Sequence, residues 1–250
     1  DYRNKVARGI AAGLEDYFNA QAVSSFAQGS AGTGENLENA HFIERAGKLA
    51  ILIRGIGKKP VNEYGILDMN RPLTFAVMPF CEYSKENSHK AFGSGHEVLV
   101  DLDGEKLHQG DHIQKAFESV PHGVGIHLHG SLEENNPALE ELMEAARERS
   151  LFLTGDEGKN AAILKLNARK HGLSFHKGGE VLARHEEADS FKDELVRAGS
   201  RALINKETVV VIDFESMEEG ILLQALEDAI PELEEMGIEL VYLSELLGRH

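Results

Sequence analysis

A repeated order of short apolar runs, helical patterns and turns constrains this sequence more than any other feature. Apolar runs of strand length occur at Leu49–Ile56 and Leu73–Met78. A helical pattern ending at Gly93 and Gly95 follows, and then a third run, His96–Leu102. Continuous apolar runs of this length are typical of strands buried on both faces of a parallel sheet. Because the carboxyl ends of such strands meet at one edge, we expect functional residues just after each run.

The same order continues to the end of the chain. Further strands are predicted at Val120–Leu128, Leu151–Thr154, Glu207–Phe214 and Ile238–Leu243, and helices at Ser84–Phe92, Asp111–Ser119, Asn136–Ser150, Ala161–His171, Ser190–Ala198 and Met217–Ile230. Two short segments, Leu173–His176 and Val181–Ala183, fit neither pattern clearly, and Pro231 is expected to open a further turn or helix. Seven or eight strands that alternate with helices through right-handed crossovers predict an α/β fold, an irregular (β/α) barrel that is either closed or incomplete.

The first part of the chain differs from this body. Val6, Ile10 and Leu14 recur at helical spacing, and the segment 28–36 that follows is rich in Gly and Ser, as in a linker. We therefore expect an N-terminal helix plus linker over residues 1–44 and a barrel domain over residues 45–250. The helix is equally compatible with docking to a partner and with packing against the barrel.

Composition excludes some classes of partner. Forty-two acidic and twenty-six basic residues give a formal net charge of −16. No basic stripe compensates it, so no nucleic acid partner is expected. No apolar run approaches the roughly 20 residues of a membrane helix, so no membrane span is expected within this chain. Cys81 is the single cysteine and excludes an intramolecular disulfide. Because the first residue is Asp1 rather than Met, we expect a trimmed or processed chain and leave a preceding signal peptide or anchor open.

The segment Gly125–Ser131 carries the most suggestive local pattern for chemistry. His127 and His129 are two residues apart, so on a strand both imidazoles lie on one face and could bind one ion. Two histidines supply only half of a metal site, and a carboxylate or a third histidine would have to join them. Hydrogen-bonded histidines at a barrel rim explain the pattern at least as well.

Acidic residues near other strand ends are the candidate partners of these histidines. They are Asp101, Asp103, Asp156 and Asp213. Paired carboxylates such as Asp101 and Asp103 can serve acid–base chemistry or hold a hard cation, although an Asp-x-Asp-Gly sequence is also ordinary in turns. Asp213 ends the most buried predicted strand, and Asp101 and Asp213 are the catalytic candidates. His96 opens the third strand, where a structural turn explains it equally well.

In order and spacing, these segments resemble the divergent polysaccharide deacetylase family, which is distantly related to metal-dependent carbohydrate esterases. The resemblance covers Leu49–Leu247. The segments that carry it are Pro72–Pro79, Gly95–Leu102, Val124–Ser131, Arg149–Asp156, Val209–Asp213 and Ala229–Leu247. It implies an irregular (β/α)7-8 barrel of the polysaccharide deacetylase type that removes N-acetyl groups from polysaccharide. It also implies a periplasmic or extracytoplasmic location at the cell envelope.

Most positions that match the family's active site carry other residues in this sequence. Arg54 and Gly55 replace the acid pair after the family's first strand. The family's Gly-His-Glu is kept as Gly95, His96 and Glu97. Its second His and the Pro after it correspond to Asp101 and Asp103.

The later motifs are altered as well. The family's Asn-Asn-His-Met-Gly-Ser keeps its His as His129 and its Ser as Ser131, while His127 takes the place of an Asn. Asp156 matches the family's Leu-Asp-Ser only after a shift of one or two residues. Asp213 and the two residues after it replace Gly-His-Pro.

These departures weigh against metal catalysis. A hydrolase of this type needs about three protein ligands for its ion and a base for the water. Arg54 cannot act as a base and would repel an ion at short range, and Gly55 offers no ligand.

Two main interpretations follow. In the favoured one, the barrel binds a glycan or an envelope protein without turnover or cofactor. Arg54 would then pair with Asp101 or Asp213. The cleft residues would be Arg54, His96, Asp103, Ser131 and Asp156. In the alternative, His127, His129 and Asp101 bind one divalent metal such as Zn²⁺, with Asp156 or Asp213, in a rebuilt deacetylase site. A third class is an interaction domain that docks through its N-terminal helix.

Overall fold

The computed structural model describes residues 47–63, 65–108, 110–133, 136–156 and 159–247. The chain divides into two units, Asp1–Phe42 and Ile43–His250, and all described residues belong to the second. The helix predicted for the first part of the chain lies outside the described residues. The boundary at residues 44 and 45 therefore stays a prediction.

The described residues form a series of parallel strands joined by helices. The strands are β1 (Gly47–Ile56), β2 (Thr74–Val77), β3 (Glu97–Asp103), β4 (Gly125–His129), β5 (Phe152–Gly155), β6 (Phe175–Lys177), β7 (Glu180–Val181), β8 (Glu207–Asp213) and β9 (Ile238–Leu240). The helices are α1 (Ser84–Gly93), α2 (Asp111–Ser119), α3 (Pro137–Glu148), α4 (Lys159–His171), α5 (Ala188–Gly199), α6 (Ala202–Asn205) and α7 (Glu219–Glu235). Short 3-10 helices span Ile66–Asp68, Gly104–Lys106, Phe214–Ser216 and Leu243–Leu246. Within the described ranges, no helix combines the length and apolarity that crossing a membrane requires.

Strand β1 is paired along both of its edges. On one edge it pairs with β8 over Lys48–Arg54. On the other edge it pairs first with β9 over Gly47–Leu49 and then with β2 from Leu52 to Ile56. The strand order β6-β5-β4-β3-β2-β1-β8-β7 therefore has β1 near its middle, with β9 as a branch.

Chain continuity closes this sheet into a ring. β6 pairs with β5 and β7 pairs with β8, and only Gly178 and Gly179 separate β6 from β7. One extended segment thus changes partners at two glycines, and every pairing in the ring is parallel. A Cβ at Gly178 would lie 2.0 Å from the Gly155 carbonyl oxygen, and one at Gly179 would lie 1.7 Å from that of Val209. The irregular (β/α) barrel predicted from the sequence is confirmed.

The strands are apolar on both faces because each face meets a different core. In β1, Leu49, Ile51 and Ile53 belong to the large outer core beneath the helices, whereas Ala50 and Leu52 belong to a smaller inner cluster. The other members of the inner cluster are Ala76, Leu99, Phe152, Val209, Val211, Val241, Leu243 and Leu246. This alternation has the period of two expected for strands. In β1, the inward-facing residue that follows Ala50 and Leu52 is therefore Arg54, near the carboxyl end of the strand.

The amino end of the barrel is sealed by the chain after β9. The Leu243 amide donates to Thr74 Oγ1 at 3.2 Å and the Ser244 amide to Glu97 Oε1 at 3.3 Å. Thr74 Oγ1 donates to the same Glu97 oxygen at 2.9 Å. Burial raises the pKa of Glu97, and these hydrogen bonds oppose that effect. The barrel interior is therefore a packed core rather than a channel.

Two predicted elements differ from the observed ones. The helix expected to end at Ile230 continues through Pro231 to Glu235. Pro231 is exposed, while Leu226 and Leu233 are fully buried on the opposite face. Burial of that face outweighs the lost hydrogen bond. The strand expected to begin at Val120 begins at Gly125, because Pro121 and Gly123 lie in a turn.

The glycine contacts at the ring closure predict a large cost for a side chain there. Gly179→Ala should lower the free energy of unfolding by about 3 kcal/mol, because backbone atoms of β8 occupy the space that its Cβ needs. Gly93→Ala is the control: Gly93 ends α1 and its Cβ would meet nothing within 4 Å. Urea unfolding of both variants measures the difference, and equal stability of the two would contradict closure of the ring at this point.

Candidate functional site

Inward-facing polar residues collect at the carboxyl ends of five strands. The strand registers place Arg54 beside Asp213, Asp101 beside His127, and Asp103 beside His129. Asp156 directly follows β5. These seven residues are called the polar layer below. Six of them come from the strand ends of β1, β3, β4 and β8, so the parallel sheet alone brings them together.

Arg54 connects two acidic residues from distant parts of the ring. Its Nη1 lies 3.2 Å and 3.0 Å from the two carboxylate oxygens of Asp156, and its Nη2 lies 3.4 Å from Asp213 Oδ2. The side chains of Arg54, Asp156 and Asp213 are 17%, 25% and 32% exposed. Asp156 is therefore contacted through a single guanidinium nitrogen, and the other terminal nitrogen reaches Asp213. Of the two partners considered from the sequence, Arg54 pairs directly with Asp213, and its closest partner is Asp156.

Asp101 is a buried carboxyl group with one hydrogen bond. The Gly55 amide donates to its Oδ2 at 3.0 Å, while Oδ1 has no hydrogen-bond partner among the described residues. Burial raises the pKa of Asp101 to about 7, although the Gly55 hydrogen bond and the charge of Arg54 act to lower it. This carboxyl therefore keeps its proton to a much higher pH than an exposed aspartate does.

His127 is neutral and completely buried. Burial, together with the neighbouring His129 and Arg54, lowers the pKa of His127 to about 3. Its Nε2 lies 3.6 Å from Asp156 Oδ1, too far for a good hydrogen bond. Neither ring nitrogen has a hydrogen-bond partner among the described residues. An unsatisfied buried imidazole is costly, so its presence at this position calls for a functional explanation.

His129 and Asp103 form the outer part of the layer. His129 Nε2 lies 3.5 Å from Asp101 Oδ1, and the rings of His129 and His127 have centroids 6.0 Å apart. Burial and the charge of Arg54 lower the pKa of His129. Partial burial acts to raise the pKa of Asp103, but hydrogen bonds from Lys106 and the Glu105 amide lower it.

Two residues predicted to line the cleft lie apart from the layer. His96 precedes β3, at the opposite end of that strand from Asp103, and its Nε2 lies 3.0 Å from the Leu67 carbonyl oxygen. Its ring packs against Phe75 with centroids 5.1 Å apart, which accords with the structural interpretation of this histidine. Ser131 is exposed beyond β4.

Two contributors to the layer were not predicted from the sequence: Gly55 was considered only as a position that offers no ligand, and Thr154 was not considered as a site residue. The Gly55 amide holds Asp101, and Gly55 has φ of 79°, a conformation that favours glycine. Thr154 is buried in register with His127, and its hydroxyl has no hydrogen-bond partner among the described residues. Its position two residues before Asp156 was the available signal, since alternate strand residues share a face.

In this arrangement the residues do not fit a divalent metal ion. The guanidinium of Arg54 lies on Asp156, the carboxylate nearest to His127, and its charge also acts on Asp101 and His129. A fixed cation at this distance opposes the binding of a second one. Across the described ranges, no group of three or more His, Cys, Asp or Glu residues is arranged to hold a metal ion.

The family assignment rests on a match over most of the chain. Residues 51–247 match the family model of the divergent polysaccharide deacetylases, and the chain belongs to that family. The resemblance recognised in the sequence is therefore confirmed, and the altered motif positions coincide with the polar layer.

Individual relatives are similar over part or most of the chain. The uncharacterized protein YibQ of Escherichia coli strain K12 is 32% identical over 126 residues, which is 43% of this chain and 40% of YibQ. The chain thus matches less than half the length of that curated relative. An uncharacterized protein from Agrobacterium tumefaciens C58 has a solved structure that is 18% identical, with a TM-score of 0.64 over 81% of this chain and 89% of its own. The family 4 carbohydrate esterase PdaA of Bacillus subtilis is 12% identical, with a TM-score of 0.47 over 81% of each chain. The Agrobacterium structure supports the shared fold and carries no information on the site.

The pairing of Arg54 predicts an effect on stability. Arg54→Gln should lower the free energy of unfolding at pH 7 by about 2 kcal/mol, because Asp156 and Asp213 lose their shared cation in a partly buried setting. Arg71→Gln is the matched control, since Arg71 pairs with Glu234 at a more exposed position and should cost less than about 1 kcal/mol. Urea unfolding measures both, and equal small losses would show that the Arg54 pairs behave as surface pairs.

The raised pKa of Asp101 predicts how stability changes with pH. Below about pH 4 this carboxyl is protonated in the folded and the unfolded chain. Between about pH 4 and its folded pKa of about 7, only the unfolded chain releases the proton, so the free energy of unfolding falls as pH rises. Asp101→Asn removes this effect and should gain stability relative to the native chain over that window, on the order of 4 kcal/mol in total.

Asp103→Asn provides the control for this experiment. The pKa of Asp103 is lowered in the folded chain. Its contribution to the free energy of unfolding is therefore lost only when the pH falls below the pKa of an aspartate in the unfolded chain, about 4. Urea unfolding at pH 4.5, 6 and 7.5 should therefore give a constant difference between Asp103→Asn and the native chain. The same constancy for Asp101→Asn would contradict a raised Asp101 pKa.

Proposed function

We propose that this chain is a non-catalytic member of its family, a barrel domain that binds an N-acetyl amino-sugar glycan at the carboxyl end of its strands. The observation that supports this most is the pairing of Arg54 with Asp156 and Asp213. Arg54 forms ion pairs with two carboxylates that would otherwise be available as metal ligands. The proposal includes no cofactor.

The two buried polar groups, Asp101 and His127, are poor candidates for a general base. A general base must reach its water within hydrogen-bonding distance. The Asp101 side chain is only 1% exposed, and His127 is completely buried with its pKa lowered to about 3. Neither group is placed to activate a water on a bound sugar. Cys81 offers no nucleophile, because burial raises the pKa of its thiol.

A neutral glycan suits the exposed part of the layer. His129, Asp156 and Asp213 are partly exposed at the carboxyl end of the barrel, where ligands of this fold type bind. Carboxylates accept hydrogen bonds from hydroxyl groups, which line every sugar ring. The formal charge of −16 disfavours polyanionic ligands, so a neutral amino-sugar polymer is preferred. A periplasmic or other extracytoplasmic site of action at the cell envelope is part of this proposal and follows from the family.

The first experiment measures metal content, acetate release and glycan binding on the same preparation. The chain is loaded with Zn²⁺, Co²⁺ or Ni²⁺, freed of excess ion and examined by elemental analysis. We expect no stoichiometric ion, no acetate from N-acetylglucosamine oligomers or peptidoglycan, and co-sedimentation with insoluble chitin. Arg54→Ala should take up more ion than the native chain, because Asp156 and Asp213 lose their partner.

The alternative function is a divalent-metal-dependent deacetylase with a rebuilt site. The buried, unpartnered atoms Asp101 Oδ1 and His127 Nε2 favour it, because they are potential ligands beside His129. About one ion per native chain, lost in His129→Ala and accompanied by acetate release, would establish this alternative and overturn the proposal. Absence of glycan binding together with absence of turnover would overturn both.

A further inference from the structure

We propose that Phe80, together with His112, forms a stacking shelf for one sugar ring beside the polar layer. This inference rests on the proposed glycan-binding role and names the surface that holds the ring. Phe80 is the third residue after β2, and His112 is the second residue of α2. Their ring centroids are 4.5 Å apart with the planes at 40°. The ring of His108 packs edge-on against the ring of His112, with centroids 5.4 Å apart.

The Phe80 ring is exposed and contributes little buried area to the fold. It is 52% exposed, although a phenylalanine stabilises a fold mainly by being buried. Its φ is 63°, in the left-handed region where a bulky residue is a genuine outlier. Strained residues of this kind are concentrated at ligand-binding positions, where the surrounding structure holds them.

Hydrogen bonds around Phe80 fix this strained conformation. Its amide donates to Ser119 Oγ at 3.0 Å. The Ser84 hydroxyl donates to the Met78 carbonyl at 2.6 Å and accepts from the Cys81 amide at 2.9 Å, so both sides of Phe80 are anchored. These bonds connect the loop to α1 and α2 and leave the ring itself free.

The shelf lies at the same end of the barrel as the polar layer. A Cβ at Gly57, the residue after β1, would lie 3.1 Å from the Cβ of Cys81, and the Tyr83 amide donates to the Gly57 carbonyl oxygen at 3.0 Å. The loop that carries Phe80 therefore packs beside the carboxyl end of β1.

A pyranose ring has the chemistry that this shelf recognises. One face of the sugar presents C–H groups, which pack on the negative face of an aromatic ring, while its edges present hydroxyls to polar neighbours. His112 is neutral near pH 7, because burial, with His108 and Lys115 nearby, lowers its pKa. The shelf therefore carries no cation and favours an uncharged ring such as N-acetylglucosamine over an acidic ligand.

A matched phenylalanine elsewhere in the chain gives a sharp control. Phe92 is 55% exposed and stacks on His122 with centroids 4.1 Å apart, but it lies in α1 at ordinary helical φ, near the amino end of β3. Phe80→Ala and Phe92→Ala therefore remove rings of equal exposure, each with a histidine neighbour.

The test is isothermal titration of the native chain with a soluble oligomer of N-acetylglucosamine. Phe80→Ala should weaken binding about tenfold, the scale expected for one stacked ring, whereas Phe92→Ala should leave it unchanged. Phe80→Trp should retain binding. Phe80→Gly should lose binding and raise the melting temperature, because glycine relieves the strain at φ 63°.

The outcomes separate this inference from the proposed function. Native binding that survives Phe80→Ala would overturn the shelf and leave glycan binding intact. If the native chain instead releases acetate, the non-catalytic role fails, and a rise in KM confined to Phe80→Ala would still support the shelf. No binding and no turnover by the native chain would overturn both.

Discussion

The pairing of β1 on both edges is the constraint on which this barrel depends. β8 occupies one edge, while β9 and then β2 share the other. A shift of β1 as a whole would therefore disturb three other strands. Arg54 lies at the carboxyl end of this fixed strand, so its guanidinium is held where the carboxylates of β8 and the β5 end converge. A cation placed there is part of the framework rather than a mobile surface charge.

In the poorly solvated polar layer, charged groups are either neutralised or paired with an opposite charge. Burial raises the pKa of Asp101 and lowers the pKa of His127, so both groups are shifted toward their neutral forms. The remaining carboxylates of the polar layer are partnered: Asp156 and Asp213 by Arg54, and Asp103 by Lys106. A metal centre solves the same problem with an ion and its ligands. In this chain Arg54 is the cation that pairs with Asp156 and Asp213, which is the physical basis for proposing that the barrel binds without turnover.

Predictions from the sequence succeeded where the local apolar pattern decides the structure. They failed where contacts with distant parts of the chain decide it. The helix Asp111–Ser119 was predicted with its observed limits, and the strand predicted over Glu207–Phe214 was found over Glu207–Asp213. Pro231 was expected to open a new turn or helix. Instead the helix continues through it, because buried residues before and after Pro231 pack against the core. The two short segments left unassigned became β6 and β7, because their partners are supplied by β5 and β8 from elsewhere in the chain.

The sequence by itself determined the parallel barrel, the family and the set of polar residues at the strand ends, because apolar periodicity and motif order are local properties. It also determined that a cation stands at residue 54. Only the tertiary structure decided that Asp156 is its closest partner, that Asp101 is held by the Gly55 amide, and that His96 lies at the other end of β3. These facts depend on strand register and on burial. Both arise from contacts between residues far apart in the chain, which no local pattern encodes.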